Sequence, residues 1–228
     1  FMTPGLAFFY GGLVRRKNVC NTIMACVAIM GLSVVMWTLF GYSLSFGGNH
    51  AGIIGDFRWF GLNGVGMEAG PYADSIPHLV FCAFQMMFAM ITPALITGSL
   101  VGRMKFKALF LFVAIWSVIV YYPMTHMVWG DGGFLAAIGS VDFAGGDVVH
   151  ISSGISALVL AIILGRRRGY EHTTYRIHNI PSVVLGASLL WFGWFGFNAG
   201  IKSRWPGCTC IYDFSHFCGS RIVILDVY

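Results

Sequence analysis

The run V-V-H-I-S-S-G-I-S-A-L-V-L-A-I-I-L-G, Val148 to Gly165, decides the fold class. It holds 18 residues without Asp, Glu, Lys or Arg. D-F-A-G-G-D, Asp142 to Asp147, precedes it, and Arg166, Arg167 and Arg168 follow it. A helix of about 20 apolar residues crosses the hydrocarbon core of a bilayer, so this run is close to a complete span. The rest of the chain agrees. Its 228 residues are 57% hydrophobic and 10% charged, with a mean hydropathy of +0.75. Soluble domains carry about 25% charged residues, so this chain has too little polar surface to stay dissolved. The expected class is all-α, a polytopic transmembrane helical bundle counted as one membrane domain.

Outward from Val148, further charge-free runs mark further spans. They are Val19 to about Phe46, Leu79 to Gly102, Ala108 to Gly130, and Asn179 to Ile201. Each is long enough for a spanning helix, and none alternates as a barrel strand would. Phe1 to Val14 is also apolar but shorter, and is expected to be the end of a longer helix. That makes six segments. The loops between them differ in charge. One set carries ten basic residues: Arg15, Arg16 and Lys17, then Arg103, Lys105 and Lys107, then Arg166, Arg167, Arg168 and Arg176. The other set, Gly47 to His78 and Asp131 to Asp147, has Arg58 as its one Lys or Arg, beside six acidic residues. The positive-inside rule puts the first set in the cytoplasm. The chain start is then outside, and Asp142 to His150 enters the cell membrane from outside.

The net charge of +5 does not point to nucleic acid, because the basic residues fall in short clusters between spans. Cys20, Cys26 and Cys82 lie in or beside apolar segments and read as small hydrophobes rather than a disulfide framework. Pro93 and Pro123 fall inside spans, where kinks are plausible. Gly98 with Gly102, and Gly196 with Gly200, have the spacing that lets helices approach closely.

Among residues that could carry chemistry, His150 stands first, because ionisable residues inside a membrane usually face a cavity or a partner. If its helix starts near Asp142, His150 lies about 12 Å further in, at 1.5 Å per residue. If the helix starts at Val148, it stays near the surface; Gly145 and Gly146 leave both open. Asp142 precedes the helix as a capping carboxylate would, and Asp147 reads as a solvated charge at the mouth. Phe81, Phe84 and Phe88 recur on one helical face, a pattern that suits lipid contact or packing. Trp129 sits at a helix end, where interfacial tryptophans are common.

Together these pieces carry more. They are G-L-A-F-F-Y-G-G-L-V-R-R-K-N (5–18), F-Q-M-M-F (84–88), H-M-V-W-G (126–130), D-F-A-G-G-D-V-V-H (142–150) and W-F-G-F-N-A-G (194–200). The chain closely resembles the Amt branch of the Amt/Rh ammonium transporter family, and Trp129 and D-F-A-G-G favour Amt over Rh. The resemblance implies the first half of an eleven-helix fold with two inverted five-helix repeats, assembled as a homotrimer. It implies ammonium transport and no enzymatic activity, with no cofactor or metal. Phe88 and Trp129 would form an outer site for the ammonium ion, shaped by Asp142. Phe84, Phe88 and Phe197 would form the pore gate, with Phe84 and Phe197 as its stacked pair. His150 would be the first of two pore imidazoles that relay a proton. A PII-type regulatory protein would dock on the cytoplasmic face.

The chain departs from the family after Gly200, where Ile201 stands in place of a small hydroxyl residue. Residues 1–200 are therefore expected to be the membrane domain, and 201–228 a divergent tail, out-of-frame or chimeric. The partner histidine would lie in a second half beyond this chain. Cys208, Cys210, His216 and Cys218 make only a weak metal pattern. Three other readings remain: an ammonium sensor of the same fold, a truncated fragment without function, and a membrane cytochrome ligated by His126 and His150.

Overall fold

The computed structural model describes residues 1–167, 170 and 175–199. Arg168, Gly200, Ile201 and all residues of the tail, with its cysteines and His216, lie outside them. Helix α1 is Met2–Leu13. Helix α2 runs without a break through Val19–Met36, the π turn Trp37–Gly41 and Tyr42–Phe46. A short hairpin follows, β1 (Ala69–Gly70) paired antiparallel with β2 (Ala73–Pro77). Helix α3 is His78–Leu100. Helix α4 comprises Phe106–Trp116, the π turn Ser117–Tyr121 and Tyr122–Trp129. A single turn, α5, spans Phe134–Ala137. Helix α6 opens as the π turn Gly146–Ile151 and continues as Ser152–Leu164. Helix α7 is Ile180–Ala199.

Five of these stretches are long and apolar enough to cross a membrane, and α1, with 12 residues, is not. The chain is a multi-pass membrane protein built as a helical bundle. Each of these five helices starts within two residues of its charge-free run, because Lys, Arg, Asp and Glu are disfavoured where a backbone must satisfy itself in hydrocarbon. The hairpin β1–β2 and the turn α5 lie in two separate loops between spans and have no such signature. They were not expected from the sequence.

Helix α3 is the centre of the bundle. It packs on α1, α2 and α6, and half of its apolar window is buried. The α1–α7 seam is the most extensive contact between helices. Lipid tails are as apolar as leucine, so close backbone approach rather than hydrophobic burial holds such seams. A Cβ on Gly186 would lie 2.3 Å from the Phe9 backbone nitrogen, and one on Gly12 2.8 Å from the Asn179 carbonyl oxygen. Of the pairs expected to pack closely, Gly98 does, against the Tyr10 ring, whereas Gly196 meets nothing. Gly102 instead has a positive φ of 71° just past the end of α3.

The π turn of α2 packs against Tyr122, the residue that follows the π turn of α4. The Tyr122 ring lies where a Cβ on Gly41 would be, and Trp37, Tyr42, Phe46, Tyr121 and Tyr122 are all almost fully buried around it. The Trp37 indole N–H donates to the Cys82 carbonyl at 3.2 Å, which satisfies the one polar atom of that ring. Pro93 sits within the continuous α3, and Pro123 follows the π turn of α4, where the altered pitch accommodates its missing N–H.

Candidate functional site

The site begins with Asp142. Its Oδ1 accepts from the backbone N–H of Gly145 (2.6 Å) and Gly146 (2.9 Å), and its Oδ2 from those of Asp147 (2.8 Å) and Val148 (2.9 Å). Those are donors that a helix start leaves without partners, and a carboxylate also suits the positive end of the helix dipole. The capping role expected of Asp142 is what the carboxylate performs. The N-cap position itself belongs to Gly145, at φ 99°, a conformation that an L side chain rarely adopts. A Cβ there would also lie 2.8 Å from Val149 and 3.4 Å from the Phe197 ring. Asp147 is half-buried rather than freely solvated, and accepts from the Ser140 hydroxyl at 2.9 Å.

The helix thus starts at Gly146, between the two alternatives. His150 lies four residues in, about 6 Å at helical rise, and is half-buried. Its backbone N–H donates to the Gly145 carbonyl at 3.0 Å, part of the π turn that aims the ring.

Aromatic rings connect His150 to the loops. The Trp129 indole N–H donates to the Asp142 carbonyl at 3.1 Å, which ties the end of α4 to the cap of α6. The Trp129 ring meets Phe88 edge-on, with centroids 5.4 Å apart. Phe88 meets Phe84 at 5.1 Å and Phe197 at 4.4 Å, and Phe197 meets the His150 ring at 6.1 Å. Trp129, Phe88, Phe197 and His150 form one continuous series contributed by α4, α3, α7 and α6. The expected stacked pair of Phe84 and Phe197 is corrected here. Phe88 is the ring against Phe197, tilted by 45°, and Phe84 touches only Phe88 among the three. Phe84 and Phe88 share a face of α3, but they are one turn apart, and the level at which α7 crosses selects the deeper ring. Phe81, the third member of the stripe, packs instead on Phe46 and Tyr72.

His126 is fully buried, and its ring nitrogens face the Ser45 carbonyl at 3.0 Å and the Asn49 side-chain oxygen at 3.4 Å. Neither nitrogen is open to a haem iron, so the cytochrome reading loses one of its two ligands. Among the described residues, no three His, Cys, Asp or Glu side chains gather as a metal site would need. A second cluster went unnoticed in the sequence. The Tyr42 hydroxyl and His78 Nε2 are 2.5 Å apart, roofed by Trp59, which stacks on Tyr42 at 5.4 Å. In the same loop, burial pushes the Asp56 carboxyl up, but hydrogen bonds from Arg58 and Gly48 and the Arg58 guanidinium outweigh it. The carboxyl is held below its usual range.

The profile of the Ammonium Transporter Family matches residues 1–207. The chain belongs to the ammonium transporter family. The ammonium transporter of Bacillus subtilis is 50% identical over 199 residues, 87% of this chain and 48% of that protein. Ammonium transporter Amt1 of Archaeoglobus fulgidus is 46% identical over a similar share. Among solved structures, Saccharomyces cerevisiae Mep2 superposes with a TM-score of 0.78 at 36% identity, covering 87% of this chain and 46% of that one. A sensor Amt protein superposes with a TM-score of 0.76 at 31% identity, covering 89% of this chain and 52% of that one. The chain spans about half the length of the family members it matches.

Proposed function

We propose that this chain forms part of an ammonium transporter that recruits the ammonium ion at Trp129 and Phe88, removes a proton and passes ammonia toward His150. The observation that carries this is the unbroken series Trp129, Phe88, Phe197, His150. By the positive-inside rule the Trp129 end faces outward and the Lys/Arg-rich loops face the cytoplasm. Residues 1–200 act as the membrane domain, with 201–228 as a separate tail. Assembly as a homotrimer and docking of a PII-type regulator complete the proposal.

Magnitudes argue for deprotonation. Ring faces attract a desolvated cation by about 2 kcal/mol. A cation at the bilayer centre costs about 2.5–3.5 kcal/mol even on lenient scales, and more on others. Ring attraction therefore concentrates ammonium at the mouth but does not offset carrying the charge through. Ammonium escapes the cost by losing a proton; potassium has no proton to lose. His150, beside Phe197, is the group able to accept and donate that proton within the series. Asp142 contributes by fixing the start of α6 and, through its carbonyl, the Trp129 indole; its carboxylate oxygens are occupied by four backbone donors.

The test uses the full-length protein in liposomes. His150→Ala should abolish or change the proton-linked current that ammonium evokes. Transport and current both persisting unaltered would remove His150 from the mechanism. The likeness to a sensor Amt protein favours a second reading, in which the same fold binds ammonium and signals. Ammonium binding without flux in the same liposomes would select it.

A further inference from the structure

We infer that His126 and Asn49 form a proton-sensitive clasp between the two loops at the Trp129 end of the bundle, making His126 a positioning residue for Trp129. Its bearing on Trp129 rests on the function proposed above.

The inference comes from counting donors and acceptors. The Asn49 amide has a fixed orientation. Its oxygen accepts the Gly52 N–H at 2.6 Å and its nitrogen donates to the Gly132 carbonyl at 2.9 Å. The two ring nitrogens of His126 therefore face two oxygens, the Ser45 carbonyl at 3.0 Å and Asn49 Oδ1 at 3.4 Å. Neither oxygen can donate. A neutral imidazole has one N–H, so each tautomer leaves a lone pair facing an oxygen. The ring is fully buried, so water does not relieve the mismatch. Only the imidazolium makes both bonds, and Asn49 Oδ1 keeps a lone pair free for the second. The present 3.4 Å is long beside the ~2.7–2.9 Å of a charge-assisted bond, which leaves room for the clasp to close on protonation.

The surroundings are shaped to this pair. A Cβ on Gly130 would lie 2.6 Å from His126 Nδ1, and one on Gly132 2.3 Å from Asn49 Nδ2. The clasp joins the end of α2, through Ser45, and the loop after it, through Asn49, to the last turn of α4 and the loop that follows. The Gly52 carbonyl extends the tie by accepting the Phe134 N–H at 2.8 Å. Trp129 stands three residues after His126, and the Gly130 N–H closes the helix on the His126 carbonyl at 2.9 Å. The charged and titratable groups that bear on the ring from the neighbouring loops are Asp56, Asp131 and His50. The sign follows from the bond count. The clasp is tightest in acid and loosens as pH rises through the titration of His126.

Hydrogen exchange tests this on the full-length protein in lipid nanodiscs, followed from neutral pH down to the most acid pH at which the protein stays folded. After correction for intrinsic rates, protection of the Gly52 and Phe134 amides should fall by about tenfold as pH rises, the scale of one hydrogen bond. His126→Gln should give a pH-independent protection. Asn49→Ala, at an exposed position, should remove the pH response and the protection together. A flat profile in the parent, or a response that survives in either variant, overturns the clasp. In liposomes, preference for methylammonium over potassium should track the same pH profile in the parent and lose it in His126→Gln. Exchange that titrates while selectivity does not would overturn the positioning of Trp129 and leave the clasp standing. A protein that carries no ammonium would overturn the proposed function, and the exchange result would still decide the clasp.

Discussion

Asp142→Ala isolates the strongest local interaction in the site. The carboxylate accepts four backbone N–H bonds of 2.6–2.9 Å. Of the four donors, Gly145 and Val148 are buried, Asp147 is half-buried and Gly146 is exposed. Water takes over the exposed donor at little cost. Each buried donor left without a partner costs about 1–3 kcal/mol. Loss of the two buried bonds therefore destabilises the start of α6 by about 2–6 kcal/mol. Asp142→Asn keeps the shape but turns one acceptor oxygen into a donor facing other donors, so it should cost about half as much, roughly 1–3 kcal/mol. Hydrogen exchange over 145–151 in the full-length protein reads the local opening directly, and thermal unfolding reads its share of global stability. The order parent, Asn, Ala should hold in both. If both variants stay within about 0.5 kcal/mol of the parent, the range of an ordinary surface substitution, the carboxylate is not what holds this turn.

Other substitutions separate ring chemistry from packing. Trp129→Leu and Phe88→Leu keep apolar bulk but remove the ring faces. Each should weaken discrimination of methylammonium against potassium by about tenfold, as loss of a cation–π contact predicts; competition uptake assays measure it. Gly186→Ala puts a methyl against the Phe9 backbone, which cannot move aside as a side chain would. It should separate α1 from α7 at a cost of about 1–3 kcal/mol, seen as a lower unfolding temperature. Asp56 predicts an acid effect. Its carboxyl is held below the usual range, so its contribution is present above the unfolded-chain value and lost as pH falls through the folded value. Exchange at the Arg58 amide, which donates to Asp56 Oδ1 at 3.1 Å, should quicken only in acid below about pH 4, and Asp56→Asn should erase that dependence.

The sequence alone determined where the spans lie. Val19 to Phe46 and Val148 to Gly165 were legible because exclusion of charge from hydrocarbon acts on each segment separately, along one dimension. It also placed Asp142 before a helix and His150 inside one, because capping and helix starts are local. Only the tertiary structure decided that Phe88 rather than Phe84 meets Phe197. It also decided that Gly12 and Gly186 carry the tightest seam, and that His126 faces Ser45 and Asn49 rather than a pore or a metal. Those outcomes depend on how far each helix is rotated and how deep it sits against its neighbours. Lipid is nearly indifferent to rotation about a helix axis, so that choice is made by close packing between helices. Residues far apart in the chain set it jointly, and no single stretch of sequence records the result.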